Sequence, residues 1–449
     1  MKKIFCLLLM LLPGLALFAQ VDKGSILIQN GTVLTITNGT LENTDVLIVD
    51  GKIKRIGKGL RAPAGAQVVD ATGQFVMPGI IDAHSHIALD AVNEATNVIT
   101  AEVSTEDAIN PLDVSVYRAL AGGVTISHAM HGSANAIGGQ CETIKHRYGV
   151  KNPDQIRMEG APRTIKFALG ENPIRVHGIG YQLRPRRRMG IEAIYREAFT
   201  KAQEYTKKWK EYEQKKAGNP NAVAPAYDLR METLAGILSG EILIHCHSYR
   251  ADEILMLLNV CKDFGIKDVC FQHANEGYKV APELAEYGAT ASVFSDWWAY
   301  KFEVYYSTAY NAAILNKNGV VTSINSDSGE LIRHLYHEAA KTQKYGGLSD
   351  EEALKMITLN PAKQLGIANR VGSLEVGKDG DVAIFSKHPL SIYTVPQMTI
   401  VDGITRFDIE KDASDMRIYA NPEETLLPTL HNRHDHERCM QNTEWLFGR

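Results

Sequence analysis

Met77-Pro78-Gly79-Ile80-Ile81-Asp82-Ala83-His84-Ser85-His86 has the pattern of a buried strand that ends in paired imidazoles. Alternate residues of a strand share a face, so His84 and His86 point the same way, with Asp82 one step back. Imidazoles in that arrangement chelate one divalent ion, although an isolated His-X-His is more often the pattern of two packed histidines. Companions farther along the chain bear on the choice. His245 ends the apolar run of EILIHCHSYR, His273 ends DVCFQHANEG, and Asp327 follows VVTSIN. Each stands at the carboxyl end of its run, where the active-site residues of a parallel barrel sit. His247 shares the face of His245, whereas Cys246 points the other way. Lys166, in TIKFALGENP, is a candidate bridge between two metals if CO2 converts its amine to a carbamate; its plain reading is a substrate-binding cation or a surface lysine.

Outward from this stretch, Ser25 to Met77 alternates β-rich runs with turn dipeptides: SILIQ, Asn30-Gly31, TVLTI, then DVLIV, Asp50-Gly51, KIKRI. Asn-Gly and Asp-Gly favour the tight turns of hairpins. The same signature returns in Gly372 to Phe385 and Met398 to Phe407. Strand-like runs alternate with helical ones between these ends, the order of repeated βα units. The predicted fold class is α/β, a (β/α)8 TIM-type barrel with a small β-sandwich built from both ends of the chain. The predicted divisions are a signal peptide (1–19), a first sandwich part (20–78), the barrel (79–368), a second sandwich part (369–410) and a polar tail (411–449). A charged helical stretch from Ile191 to Lys216, within an insertion at about 175–230, is expected as a solvated arm in a loop of the kind that overhangs barrel sites.

With 45% hydrophobic and 22% charged residues over 449 positions, the composition is globular and argues against disorder. The net charge of −4, without a basic tail, leaves no footprint for nucleic acid and favours a small-molecule or dipeptide substrate. The opening MKKIFCLLLMLLPGLALFAQ predicts export by a signal peptide cut near Ala19; broken by Pro13 and Gly14, it is too short for a stable membrane span. Cys141, Cys246, Cys261, Cys270 and Cys439 would remain, an odd set that argues against a disulfide framework and for buried thiols.

Other side chains are candidates for the substrate pocket. His128, His131, Ser133 and Asn135 lie in the Gly-rich HAMHGSANAIGGQ, a segment suited to orienting a carbonyl or to turning tightly. Trp297, Trp298 and Tyr300 suit an aromatic wall or a core. Arg184, Arg186, Arg187 and Arg188 suit capture of a carboxylate or a solvated loop. The tail residues His431, His434 and His436 show no periodicity that would hold them on a metal.

Taken in order, PGIIDAHSH, AGGVTISHAMHGSANAIGGQ, IKFALGENP, a strand-end HxH, a strand-end His, SDSG, TLNPAKQLGI and GSLEVGKDGDVAIF resemble the amidohydrolase superfamily. The likeness is closest to its imidazolonepropionase-like and dipeptidase-like branches and runs from about Ser25 to Phe407. It implies that His84 and His86 bind one zinc ion, His245 and His273 a second, Lys166 bridges them as a carbamate, and Asp327 is both ligand and general base. One ion rather than two is the alternative. The chain departs from better-understood members in its GENP loop and long helix. Metal chemistry explains the residue types: zinc-bound water has a pKa lowered to about 7, and a carboxylate that shuttles its proton adds roughly two to four powers of ten in rate. The implied reaction is hydrolysis of a C–N bond in an amide, peptide-like or cyclic; deamination of a heterocycle, or a binding protein that has lost catalysis, are the alternatives. Export favours an external amide or dipeptide.

Overall fold

The computed structural model of the protein describes residues 21–297 and 299–412. The expected signal peptide, Trp298, Cys439 and the tail histidines lie outside the described residues. Strands β2 (Thr40–Val49) and β3 (Lys52–Gly57) form the predicted hairpin, with Asp50 (φ 50) and Gly51 (φ 72) in its turn. Asn30-Gly31 departs from expectation. It lies inside β1 (Ile26–Leu34) as a bulge, with Asn30 at φ 61 and the pairing to β2 shifting register there. A Cβ on Gly31 would come 2.6 Å from the side chain of Val76 in β5 (Phe75–Pro78), so a side chain here would push that strand away. The first half of β1 also pairs with β4 (Gln67–Asp70), and its second half with β5.

From β5 the chain enters a second sheet of eight strands. These are β6 (Ile80–Ser85), β7 (Val124–Ala129), β8 (Ile137–Lys145), β9 (Arg163–Ala168), β10 (Ile242–Ser248), β11 (Val269–His273), β12 (Thr290–Val293) and β13 (Thr322–Ile324), paired in chain order. All run parallel except β8, which is antiparallel to both neighbours. The physical reason is length. Only residues 130–136 separate β7 from β8, too few for the crossover that parallel strands require. The first and last strands come together: Ile81 N–H donates to Ile357 O and Ile324 N–H to Met356 O, both at 2.9 Å, so one short segment joins β6 and β13.

The chain then returns as β14 (Val382–Phe385), β15 (Pro396–Val401) and β16 (Ile404–Asp408), with β14 antiparallel to β5. The expected sandwich is therefore joined edge to edge as one sheet, in the order β16-β15-β14-β5-β1-β2-β3, because β1 is long enough to pair with different strands along its two halves. Alternate side chains from both ends of the chain, among them Ile26, Ile48, Ile53, Val76, Ile384 and Ile400, share one buried cluster.

Buried charge ties the two sheets. Lys145 on β8 is fully buried, with Nζ 2.8 Å from Asp379, 2.9 Å from Asp381 and 2.6 Å from Asp402. Arg147 bonds Asp402, and Lys52 and Arg370 bond Asp379. Burial pushes these carboxyls upward, but the Lys145 ammonium prevails at Asp379 and Asp402 and holds both below the usual range.

The charged helix spans Met189–Gly218 within the β9–β10 crossover, and it is not a solvated arm throughout. Ile191, Ile194, Tyr195, Ala198, Phe199 and Ala202 recur at helical spacing and are buried, with Phe199 stacked on Phe167 of β9. Beyond Tyr205 its residues are mostly exposed. Cys141, Cys246, Cys261 and Cys270 are buried free thiols. Among the described residues no helix is long and apolar enough to cross a membrane.

Candidate metal centre

Buried side chains converge at the carboxyl ends of β6, β9, β10, β11 and β13. His84 lies within β6 and His86 just past its end; both are buried. Asp327, in the loop after β13, adopts φ 48, and its N–H donates to the carbonyl of His84 at 3.1 Å. Its carboxylate lies 3.2 Å from His86 Nε2 and 3.5 Å from both His84 Nε2 and His273 Nε2. One ligand atom each from His84, His273 and Asp327 falls within 4.8 Å of the others. Neighbouring residues of a strand face opposite sides, yet Gln272 and His273 both reach this centre, because His273 has φ 68 and turns the chain at the end of β11.

The imidazoles are aimed from behind. His84 Nδ1 bonds Gln272 Oε1 at 3.1 Å, and His86 Nδ1 bonds Met130 O at 2.8 Å, so both present Nε2 to the centre. Lys166, buried in β9, brings Nζ within 3.1 Å of His84 Nε2. The His247 ring is 4.9 Å from that of His273, and its Nε2 is 3.2 Å from Asn172 Nδ2. Burial above all holds His84 and His247 well below the ordinary histidine pKa; like charge from Lys166 and His273 adds to this at both rings. Burial thus favours the neutral imidazole, the form that ligates a cation.

His245 is set apart from the pairing with His273 that the sequence resemblance implies. It stands level with Lys166 and Cys270 in the strand register, packs 4.5 Å from the His128 ring, and accepts from Gln272 Nε2 at 2.9 Å. With Cys270 and Gln364 it lines a cavity near the amino ends of the strands, away from Asp327. The neighbour of His273 is His247. The two histidines share a strand face, and their separation is in depth, which the alternation of a strand does not encode.

The Gly-rich segment ties neighbouring elements together, with one exception. His128 bonds Thr164 Oγ1 at 2.7 Å, His131 accepts from Glu94 N–H at 2.9 Å, and Asn135 donates to Glu94 O, Asn97 O and Thr100 Oγ1. The exception is Ser133, whose Oγ accepts from Asn172. Trp297 does form an aromatic wall: it stacks on Phe294 at 4.4 Å, and Phe294 stacks on His273 at 4.7 Å. Tyr249 and Tyr300 complete it. Of the four arginines, Arg188 lies between the buried Glu253 and Glu303 at 2.5 and 2.6 Å, while Arg184, Arg186 and Arg187 are exposed. The cation beside the wall is Lys301 instead. Its Nζ is 4.5 Å over the Tyr249 ring and donates to Asn172 Oδ1 at 3.1 Å, with Glu171 at 3.6 Å. Gln272, Asn172, Tyr249 and Lys301 were not singled out from sequence. Asn172 carried a signal in GENP; the other three had none.

Comparison with known proteins places this geometry in context. The profile of the amidohydrolase family matches residues 244–420. Amidohydrolase tasK of Hapsidospora irregularis is 30% identical over 401 residues, 81% of this chain and 40% of that protein. A dihydroorotase of Geotalea daltonii is 41% identical over 80 residues, 18% of this chain and 19% of that protein. The chain thus spans less than half the length of these curated relatives. Among solved structures, an amidohydrolase from Thermotoga maritima has TM-score 0.79 at 34% identity, covering 85% of this chain and all of that one (100%). A zinc-bound adenosine deaminase from Xanthomonas campestris, at TM-score 0.52, 15% identity and coverage of 88% and 97%, shares the fold alone.

Proposed function

The chain belongs to the amidohydrolase family, and on that premise we propose that it is a metal-dependent hydrolase of a C–N bond in an amide, peptide-like or cyclic. The single observation that carries this is the approach of the Asp327 carboxylate to three buried imidazoles, His84, His86 and His273. The donors suit a divalent cation: imidazole nitrogens aimed by partners behind them, and one carboxylate, in a buried site. His84, His86 and Asp327 would hold one ion, and His247 and His273 a second, with Lys166 between them as a carbamate. Zinc is the metal proposed, and it would supply a lowered water pKa and polarisation of the substrate carbonyl.

The protein's own groups then do the following. Asp327 accepts the proton of the attacking water and returns it to the leaving nitrogen. Gln272 and the Met130 carbonyl keep His84 and His86 in place. The stacked Phe294 and Trp297 exclude water on the His273 side. Lys301, partly buried over Tyr249, meets a carboxylate on the substrate, which favours an N-acylated amino acid, a dipeptide or a cyclic relative of these. The eight strands from β6 to β13 are taken as a closed barrel with the site at its mouth, and the strands from both chain ends as its satellite domain. Export remains proposed from the first nineteen residues. Intact mass of the chain expressed in a Gram-negative host tests it.

The deciding experiment incubates the zinc-loaded protein with a panel of dipeptides, N-acyl amino acids and cyclic amides, assaying ammonia and primary amine separately. A new amine or carboxylate without ammonia supports amide hydrolysis. Ammonia released from a heterocycle would replace it with deamination, and tight binding without turnover would replace it with a binding role.

A further inference from the structure

An amide oxygen only accepts a hydrogen bond and an amide N–H only donates. Gln272 Oε1 lies 3.1 Å from His84 Nδ1, so that nitrogen donates and His84 Nε2 keeps its lone pair. The other end of the amide, Nε2, faces His245 Nδ1 at 2.9 Å and Cys270 Sγ at 3.5 Å, and both of these accept. His245 therefore carries its own proton on Nε2. His84, Gln272, His245 and Cys270 are all buried, which strengthens these bonds.

From this chain of donors and acceptors we propose that Gln272 is a positioning residue, which fixes His84 in the tautomer that presents an Nε2 lone pair to the metal and takes its own orientation from His245. The inference rests on the reading of His84 as a metal ligand. Only an amide meets both neighbours as they stand, with an oxygen for the His84 N–H and an N–H for the His245 lone pair. A carboxylate serves His84 equally well and requires His245 to move its proton to Nδ1. A thioether serves neither. His245, which shares its strand face with His247, thus acts at one remove, as the group that sets which end of Gln272 faces the metal centre.

The test measures zinc affinity of the metal-free protein by competition with a chelating indicator, with thermal melts to establish folding. Gln272→Met is expected to weaken zinc binding about 10- to 100-fold. Gln272→Glu should stay within about threefold of wild type, because it keeps the acceptor that His84 needs. This rescue by one variant and not the other separates orientation from mere packing. A folded Gln272→Met protein with wild-type zinc affinity would overturn the inference. If that variant does not fold, Gln272→Glu decides: near-wild-type affinity upholds the inference and a hundredfold loss overturns it. His84→Asn is the control for the underlying reading. Unchanged zinc affinity there removes the ligand assignment itself, whereas loss at His84→Asn with none at Gln272→Met removes only the role of Gln272.

Discussion

Asp327 donates its backbone N–H to the carbonyl of His84 at 3.1 Å, a bond that couples the loop after β13 to the end of β6. With its backbone at φ 48, Asp327 directs its side chain towards His84, His86 and His273. The position of the candidate base is thus set by main chain, and its chemistry by the carboxylate.

Asp327→Asn keeps that main-chain bond and the shape of the side chain while removing proton acceptance. It should lower kcat by at least about a hundredfold with a much smaller change in KM. Steady-state kinetics on any substrate found in the panel checks this, and a variant retaining a tenth of wild-type kcat would refute the role of Asp327 as base.

The histidines of β10 should separate in their effects. His247→Asn is expected to lower bound zinc. His245→Leu should lower it less, because its effect reaches the metal only through Gln272, and should destabilise the fold by about 1–3 kcal/mol, because the buried Gln272 N–H loses its acceptor. Elemental analysis together with urea unfolding measures both, and zinc loss confined to His245→Leu would reverse their assignment.

Lys301 is expected to act on binding more than on chemistry. Lys301→Met should raise KM for carboxylate-bearing substrates about tenfold, corresponding to the loss of one partly buried charged contact, with kcat within about threefold of wild type. Equal effects on substrates with and without a carboxylate would show that Lys301 does not recognise that group.

The charge cluster between the sheets makes a prediction about stability. Lys145→Met leaves Asp379, Asp381 and Asp402 buried with fewer partners and should cost about 3–5 kcal/mol near neutral pH. In the wild type, Asp379 and Asp402 have depressed pKa values. Their contribution is present above the ordinary aspartate range and is lost as pH falls through their folded values. Asp381, raised to about 6 by burial despite Lys145, contributes in the opposite sense: its share is full below the ordinary aspartate value and fades as pH rises through 6. The deficit of Lys145→Met should therefore shrink between pH 7 and pH 5, where the stranded carboxyls take up protons in the folded state. Urea unfolding of both proteins across this range checks it; a deficit that grows on acidification contradicts the assignment.

The amino-acid sequence by itself determined the features that depend on short-range pattern. Alternation in Ile80–Ser85, the turns at Asp50-Gly51 and Asp402-Gly403, and the β-rich runs at both ends are local properties of the backbone, and each forms or bounds a strand. The order of His84, His86, Lys166, His273 and Asp327 along the chain was legible for the same reason. Tertiary structure alone decided depth and direction. It placed His247 rather than His245 beside His273, because both lie on one strand face and only the stacking of neighbouring strands sets their level. It brought Gln272 and His273 to one centre through a left-handed turn, and gave Lys145 three aspartates from distant turns. Period-two patterning says which side a residue faces; how far along the strand it meets a neighbour, and which end of an amide it offers, arise only once the strands have paired.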